Sequence, residues 1–595
     1  MAVFGSRPLP VPAGRDARRW NTLHGERTLV VAARTVTSTV RALESLPSLL
    51  RDDARVHVVF AHDPTSAFSA GVLDLLHGSG CRVAPWEQLA DLSPDLILTA
   101  SENIDVPEGD CPVLVLPHGI GFQKLVPDSR GPGTRLSGVV PDALLETGRA
   151  WLAISHPAQE EQLLATHPKA AGRTLLVGDP CFDELVGSRT RRGRYREALG
   201  VADHQRLVVV SSTWGPTSLL GRHPDLLPRL LARLPGDEYR VGAIVHPNVW
   251  SAHGEWQIRT LQAAALEAGL LLMPTVHAWR AALVAADLVI GDHGSVTLYG
   301  AAAGTPLLLG AFGEDAVPGT AVRELAAAAP RLDPHGDLRQ QVEDVMDAHT
   351  PERYAAVAAR AFADPGQASA RLRTALYHLL KLPEPASPSP APHLLPVPAP
   401  PAAPVTAWQV TTDIGGTDSG GAGPDVAVTV RRVPAAVTAY GPAAPESATR
   451  FAHLACTDDE RDLRLTESAS VVVRGSVAGT SVGALRWIED TLRRLPGSLL
   501  AASAVLGGGC LVGLRDGRVV EASATGPAPD PSLLAAAVYA CLRAGLTMGG
   551  GTHGHMYDGT GGGTGGSDGS WVTLRIGDVR EEDVVLRLRP SPPAG

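Results

Sequence analysis

From residue 26 to residue 382 the chain alternates short apolar runs with helix-like stretches, and this alternation constrains the fold more than any other feature. Thr28-Leu-Val-Val-Ala-Ala reads as a buried strand, and an amphipathic stretch from Ser38 to Leu50 follows it. Val56-His-Val-Val-Phe, a helix near Ala70–His77, Leu96-Ile-Leu-Thr and Val113-Leu-Val-Leu continue the pattern. A second series starts after Trp151, with runs at Thr174, Leu207, Val241, Leu271, Leu288 and Pro306 and helical stretches such as Leu226–Leu234 and Trp256–Gly269 between them. Strands alternating with helices form βαβ units and a parallel sheet. The expected fold class is therefore α/β, with two facing Rossmann-like halves over residues 26–150 and 151–382. A ligand is expected in the cleft between them, at the carboxyl ends of the strands.

Helical residues from Leu338 to Leu382 end this unit, and two proline-dense runs follow, Pro383 to Pro392 and Pro396 to Pro404. Such density favours an extended, semi-rigid spacer, so residues 383–406 are expected to be a linker, with residues 1–25 a tail. The remaining residues 407–595 read as a smaller α+β domain. Its expected elements are strands at Val426, Ser470, Leu511 and Val519, a hairpin around Asp516-Gly517, and helices at Val482–Leu495 and Leu533–Leu546. Gly415–Gly423 and Gly549–Gly566 read as loops.

Composition narrows the function. The 595 residues are 44% hydrophobic, which excludes wholesale disorder and suits several domain-sized units. A net charge of -10 argues against general nucleic-acid coating, which needs a basic surface. No apolar run reaches the ~20 residues of a membrane-spanning helix. Met1 to Trp20 lacks the apolar segment of a secretory signal, so a cytoplasmic protein is expected. The six cysteines include no C-x-x-C pair and read as small buried hydrophobes. Only Lys124, Lys169 and Lys381 are lysines, against 49 arginines, and Leu125, Ala170 and Leu382 follow them. A Walker A loop needs Gly-Lys-Ser/Thr, so P-loop NTPases are excluded.

Three segments place polar groups directly after a strand. In Leu114-Val-Leu-Pro-His118-Gly119-Ile-Gly121-Phe-Gln-Lys124, the histidine can project into the cleft and the glycines let backbone approach closely. A neutral imidazole there can take a proton from an attacking hydroxyl; otherwise it satisfies a turn carbonyl. Val241-Gly-Ala-Ile-Val-His246-Pro247-Asn248 again ends a strand in histidine, which can donate to a phosphate oxygen. In Asp287-Leu-Val-Ile-Gly291-Asp292-His293-Gly294-Ser295-Val296-Thr297, strand, tight turn and helix follow in succession. Helix N-termini bind phosphate without lysine, although Asp292 and Ser295 also suit simple capping. Thr213-Trp214-Gly215 is a fourth strand-end loop.

In order and spacing these segments resemble the CDP-glycerol glycerophosphotransferase family, the teichoic acid polymerases and primases, which have a GT-B glycosyltransferase-type fold. The resemblance covers about the first 330 residues. Pro117-His118-Gly119 resembles the family's Trp-His-Gly-Thr, and Val177 to Leu185 its Gly-Tyr-Pro-Arg-Asn-Asp-Leu. Val208–Trp214 resembles a strand ending in Pro-Thr-Trp, Val245-His246-Pro247 resembles Arg-Pro-His-Pro, and Asp292 to Val296 resembles Asp-Tyr-Ser-Ser-Val. The resemblance implies transfer of a polyol-phosphate or glycosyl group from a nucleotide-activated donor to a cell-envelope acceptor, with no metal or other cofactor. His118 and His246 would be the catalytic pair, with His118 the acceptor-side base and His246 on the donor pyrophosphate. Gly119, Thr213, Asp292, Gly294, Ser295 and Val296 would bind the donor, Asp292 on its ribose side or shaping the loop. The sequence departs from the family at Pro117, at Ile244 and Val245 where an arginine would stand, and at Gly294, and the following lysine falls at another offset, at Lys124. These departures leave open a catalytically silent scaffold that binds a nucleotide or a partner. Peripheral contact with the inner membrane face stays open too, as does a protein partner for the last domain.

In that domain Gly479-Thr-Ser481-Val-Gly483 matches the nucleophile-elbow pattern, but the preceding strand ends near Arg474, too early for a sharp elbow. A small-residue helix start is the expectation. His553, His555 and Asp558 have metal-ligand side chains, but a glycine-rich segment supplies little preorganisation, so a solvated loop is expected.

Overall fold

The computed structural model describes residues 22–23, 25–128, 131–388, 390–398, 404–416, 426–441, 449–526, 530–546 and 569–589. The first sheet contains β1 (Arg27–Ala33), β2 (Val56–His62), β3 (Val83–Pro85), β4 (Leu96–Thr99) and β5 (Val113–Val115). After an antiparallel hairpin, β6 (Leu125–Pro127) and β7 (Thr134–Leu136), it continues with β8 (Ala150–Ile154) and β9 (Thr174–Leu176). Its seven strands run parallel in the order β3-β2-β1-β4-β5-β8-β9. The second sheet, β10 (Arg206–Ser212), β11 (Tyr239–Val245), β12 (Leu271–Leu272), β13 (Leu288–Gly291) and β14 (Leu307–Leu309), is parallel in the order β12-β11-β10-β13-β14. Each sheet starts in its middle and winds outward both ways, so the loops after its first strand diverge and leave a crevice. Leu29 to Ala33 and Leu207 to Val210 are at most 1% exposed. Helices cover both faces of such strands, which is why they read as unbroken apolar runs.

Three expectations are corrected. The division at residue 150 falls inside the first sheet, because β8 and β9 pair with β5 and each other rather than starting the second sheet. Parallel strands of two doubly wound sheets look alike in sequence, so the run itself does not say which sheet it joins. The helical stretch from Leu338 to Leu382 is three helices, and the last, Ala368–Leu380, crosses back to pack Leu372, Leu376 and Tyr377 with Leu29 and Leu46 of the first half. Around Leu395 the proline-dense stretch is held against the second half and is not a free spacer. Leu395 is 4% exposed, its N–H donates to Ser188 Oγ at 2.9 Å, and its carbonyl accepts from the Tyr195 hydroxyl at 3.0 Å.

The last part of the chain is a closed nine-stranded barrel. Its strands are β15 (Ala407–Gly416), β16 (Val426–Pro434), β17 (Arg450–Thr457), β18 (Val471–Val473), β19 (Leu500–Ala504), β20 (Cys510–Leu514), β21 (Val519–Ala524), β22 (Ser570–Ile576) and β23 (Arg580–Leu588). The expected α+β domain thus has its strands and helices, but the closure was not foreseen. Helix Pro531–Arg543 has every residue from Ser532 to Cys541 buried and packs with inward-facing Val410, Val430, Val512 and Leu574. A helix apolar on all sides must be surrounded, and here the barrel surrounds it. Gly415 and Gly416 close β15 rather than starting a loop, while 417–423 and 549–566, with His553, His555 and Asp558, lie outside the described residues. Ser481 opens helix Ser481–Arg494 behind an Arg474–Thr480 connection, so there is no strand-to-helix elbow. Arg432 fastens the barrel to the second half, reaching Asp237 at 2.6 Å while also holding Asp530. Among the described residues, no helix is long and apolar enough to cross a membrane.

Candidate functional site

The strand ends of the two sheets face one cavity of about 480 Å³. His118, Gly119, Thr213, His246, Gly294, Ser295 and Val296 all line it, so segments 128 residues apart in sequence meet there. The volume is in the usual range for a small-molecule cleft.

His118 follows β5. Its Nδ1 lies 3.1 Å from the Ala100 carbonyl, which can only accept, so Nδ1 carries a hydrogen and the neutral form of the ring has its lone pair on Nε2. The loop that supplies Ala100 is braced by Thr99, whose hydroxyl accepts from Ser101 N–H and donates to the Ser101 carbonyl. In the same loop Glu102 is buried and pairs with Arg135 at 2.7 Å. Burial pushes its carboxyl up, but His118 and Arg135 outweigh this and hold it below the usual range. His118 is thus an oriented ring with a carboxylate nearby, the arrangement a general base needs.

His246 follows β11 and faces the cavity from the other sheet. Its Nδ1 accepts from the Asn248 N–H at 3.1 Å and caps helix Pro247–His253, so in the neutral ring Nε2 carries the hydrogen. Burial, then His118 and Lys124, push its pKa down to about 3. The ring is therefore a neutral donor throughout the physiological range.

Asp292 does not line the cavity. It is 0% exposed, and its carboxylate accepts from the N–H groups of Thr213 (2.8 Å), Leu219 (2.9 Å) and Gly294 (2.9 Å). It fixes the turn between β13 and helix Ser295–Ala302 and ties it to the loop after β10. That helix begins at the cavity, and a helix leaves its first amides without intrahelical partners. Ser295 does not cap its own helix; its hydroxyl accepts from the Ile120 N–H at 3.3 Å across the cleft. Gly119 makes this approach feasible, because a Cβ there would stand 2.5 Å from Ser295 Oγ.

Several residues were given no role from sequence. Arg41 is buried, donates to the Pro117 carbonyl before His118, and pairs with Asp179 at 2.9 Å. Asp179 caps helix Pro180–Ser188 and also accepts from the Tyr299 hydroxyl at 2.6 Å. One carboxylate thus ties the His118 loop to the helix that starts at Ser295, and the partners' separation of 120 to 138 residues leaves no local signal. Lys124, an uncertain match by sequence, lines the cavity with its ammonium 5.3 Å from the Trp214 ring centre. Trp214 in turn meets Phe68 of the first half at 5.7 Å. The scarcity of lysine, and this one's place six residues after His118, was the signal that could have found it.

No protein-family model matches the chain. No curated protein matches it. Among solved structures the chain is similar to the wall teichoic acid polymerase TagF, at 14% identity over 60% of this chain and 90% of that one, with a TM-score of 0.40. It is similar to UDP-GlcNAc 2-epimerase from Neisseria meningitidis, at 14% identity over 60% and 100% of the two chains, with a TM-score of 0.37. It is also similar to S. aureus MnaA solved with UDP, at 12% identity over 61% and 99%, with a TM-score of 0.38.

Proposed function

We propose that the protein transfers a polyol-phosphate or glycosyl group from a nucleotide-activated donor, of CDP-glycerol type, to a hydroxyl of a cell-envelope or polysaccharide acceptor. The observation that carries this reading is the meeting of His118, His246 and the start of helix Ser295–Ala302 on one cavity, from two separate sheets. In the polyol-phosphate case the acceptor oxygen attacks the donor's distal phosphorus. The new O–P bond forms as the bridging P–O bond breaks, and a nucleoside monophosphate leaves. His118 Nε2 takes the hydroxyl proton. The electron pair ends on the leaving phosphate, facing the His246 N–H and the amides of Ser295 and Val296. Fixed donors of this kind stabilise charge as it develops without reorganising. The buried pair of Arg41 and Asp179 keeps the two walls in register.

A thermal-shift titration with CDP-glycerol, CDP, CMP, UDP, GDP and ADP tests it, beside Ser295→Ala and a turnover assay. Ligand at about 100 times its Kd adds roughly 2.7 kcal/mol, an easily seen shift. Stabilisation by cytidine nucleotides that Ser295→Ala weakens, with donor turnover, is the expected result. A response to UDP alone moves the donor to nucleotide sugars. Nucleotide binding without turnover of any donor makes the protein a silent scaffold and overturns the proposal.

A further inference from the structure

His293 stands between two residues of the donor-side motif, yet nothing in the proposed chemistry uses it. Its side chain is 0% exposed. Nδ1 accepts from the Gly313 N–H at 3.1 Å, so Nε2 carries the hydrogen and donates to Asp315 Oδ2 at 3.1 Å. The same carboxylate oxygen holds Lys124 Nζ at 3.1 Å. Phe312 packs edge-on against the imidazole at 5.7 Å. The backbone fixes both ends of the chain of contacts, since Leu125 N–H donates to the Asp315 carbonyl at 2.7 Å and Val317 N–H to the Gln123 carbonyl at 2.9 Å.

A lysine–carboxylate pair needs no buried imidazole behind it merely to exist. A neutral histidine with both nitrogens engaged does something else: it fixes the rotamer of the carboxylate. That carboxylate takes one of the three ammonium N–H groups, and Trp214 lies beside the ammonium within the cavity wall. The remaining donors belong to a point charge on the same cavity as His118 and His246. The other cationic side chains at the cavity, Arg34, Arg41 and Arg135, pair with carboxylates of the same half or of the segment between the halves, whereas Lys124 alone of these four is held by the second half.

We propose that Lys124 grips a phosphate group of the substrate and that His293, through Asp315, is the positioning residue that aims it. This rests on the reading that a phosphorylated substrate occupies the cavity, and the test separates the two. With only three lysines in the chain, a protein labelled with 13C-lysine gives three Cε signals, and Lys124→Arg and Lys169→Arg assign them. The probes are inorganic pyrophosphate and CDP, titrated into the full chain.

The Lys124 signal should move along a saturable curve while those of Lys169 and Lys381 stay still. His293→Phe keeps the packing on Phe312 but removes both hydrogen bonds, and should weaken binding about tenfold, in line with losing the aim of one charge-assisted hydrogen bond. His293→Gln, which returns a donor to Asp315, should recover most of the affinity, an effect that loss of packing alone would not produce. A still Lys124 signal while thermal shift reports CDP binding overturns the inference and spares the transferase reading. Pyrophosphate affinity unchanged in a folded His293→Phe reduces the trio to a latch between the halves and overturns it as well. Failure of both probes to bind overturns the inference together with that reading.

Discussion

The cleft and the barrel each bury histidine, and they treat it in opposite ways. In the cleft His118, His246 and His293 all have a ring nitrogen committed to backbone, which fixes the tautomer and leaves the other nitrogen for a defined partner or for the cavity. In the barrel His453, on β17, is 3% exposed and packs tilted against Tyr539 with ring centres 4.1 Å apart, and neither nitrogen has a hydrogen-bond partner among the described residues. Burial pushes both His246 and His453 down to about 3, so the pKa alone does not distinguish them. What differs is the second nitrogen. A ring held by one nitrogen and presenting the other has a direction; a ring held by neither is core, filling space as an aromatic would.

The largest expected effect separates the two regions outright. His118→Ala should lower kcat by about 10²–10⁴-fold, the worth of a positioned general base, with melting temperature little changed. His246→Ala should also abolish measurable turnover. His453→Phe should leave turnover and nucleotide binding as they are. If His118→Ala keeps wild-type activity, the contrast between directed and undirected rings loses its meaning.

Next in size is the footing of the cleft. Asp292→Asn should destabilise the fold by about 2 kcal/mol or more, because an amide nitrogen would face one of three N–H groups now bound by the carboxylate. The same change should weaken nucleotide binding, since Thr213 and Gly294 are placed by those bonds. Chemical unfolding and a nucleotide titration on one preparation check both.

The strand-end histidines, the glycines after His118 and the helix start at Ser295 were legible, because a polar residue following a buried strand is a local pattern. The alternation of buried strands with helices in both halves was legible too, because apolar runs and helical periodicity are local patterns as well. The attachment of β8 and β9 to the first sheet was not, and neither was closure of the barrel, whose parallel β16–β22 pair joins residues more than 140 apart. Register between distant strands leaves no trace in either strand's own composition. The same holds for Arg41 with Asp179, and for Lys124 with Asp315, where a charged residue's partner is set by the fold. His293 lies inside the resembling motif, but its carboxylate partner Asp315 is 22 residues later, so the motif alone does not show what the imidazole holds.

Acidification sharpens the comparison at the level of stability. With a folded pKa of about 3 and an ordinary unfolded value near 6.5, His453 binds a proton on unfolding throughout that window. Its contribution is complete above about pH 6.5 and is lost as pH falls toward 3, at about 1.4 kcal/mol per pH unit. His246 adds a slope of the same sign. His453→Phe should therefore be as stable as wild type or more so at pH 7, having shed two unpartnered nitrogens, and should gain on it steadily between pH 6 and pH 4. Unfolding free energies at three pH values settle this, with His453→Leu as a smaller substitute if phenylalanine overpacks the barrel. Parallel pH curves for wild type and variant would mean that the His453 ring is hydrated or bonded after all.

The smallest effect tests whether the cleft walls touch as closely as Gly119 and Ser295 indicate. Gly119→Ala should cost about 1 kcal/mol, since the added methyl displaces the Ser295 hydroxyl from the Ile120 N–H. Ser295→Ala removes the same hydrogen bond from the other side. Because both variants lose one shared interaction, their costs should not add, and the double variant should be more stable than the sum by about 0.5–1 kcal/mol, as neighbours in contact behave. An additive pair would place the two residues apart in solution. The cleft would then be open between its halves, with the helix start at Ser295 exposed to ligand without the His118 loop lying against it.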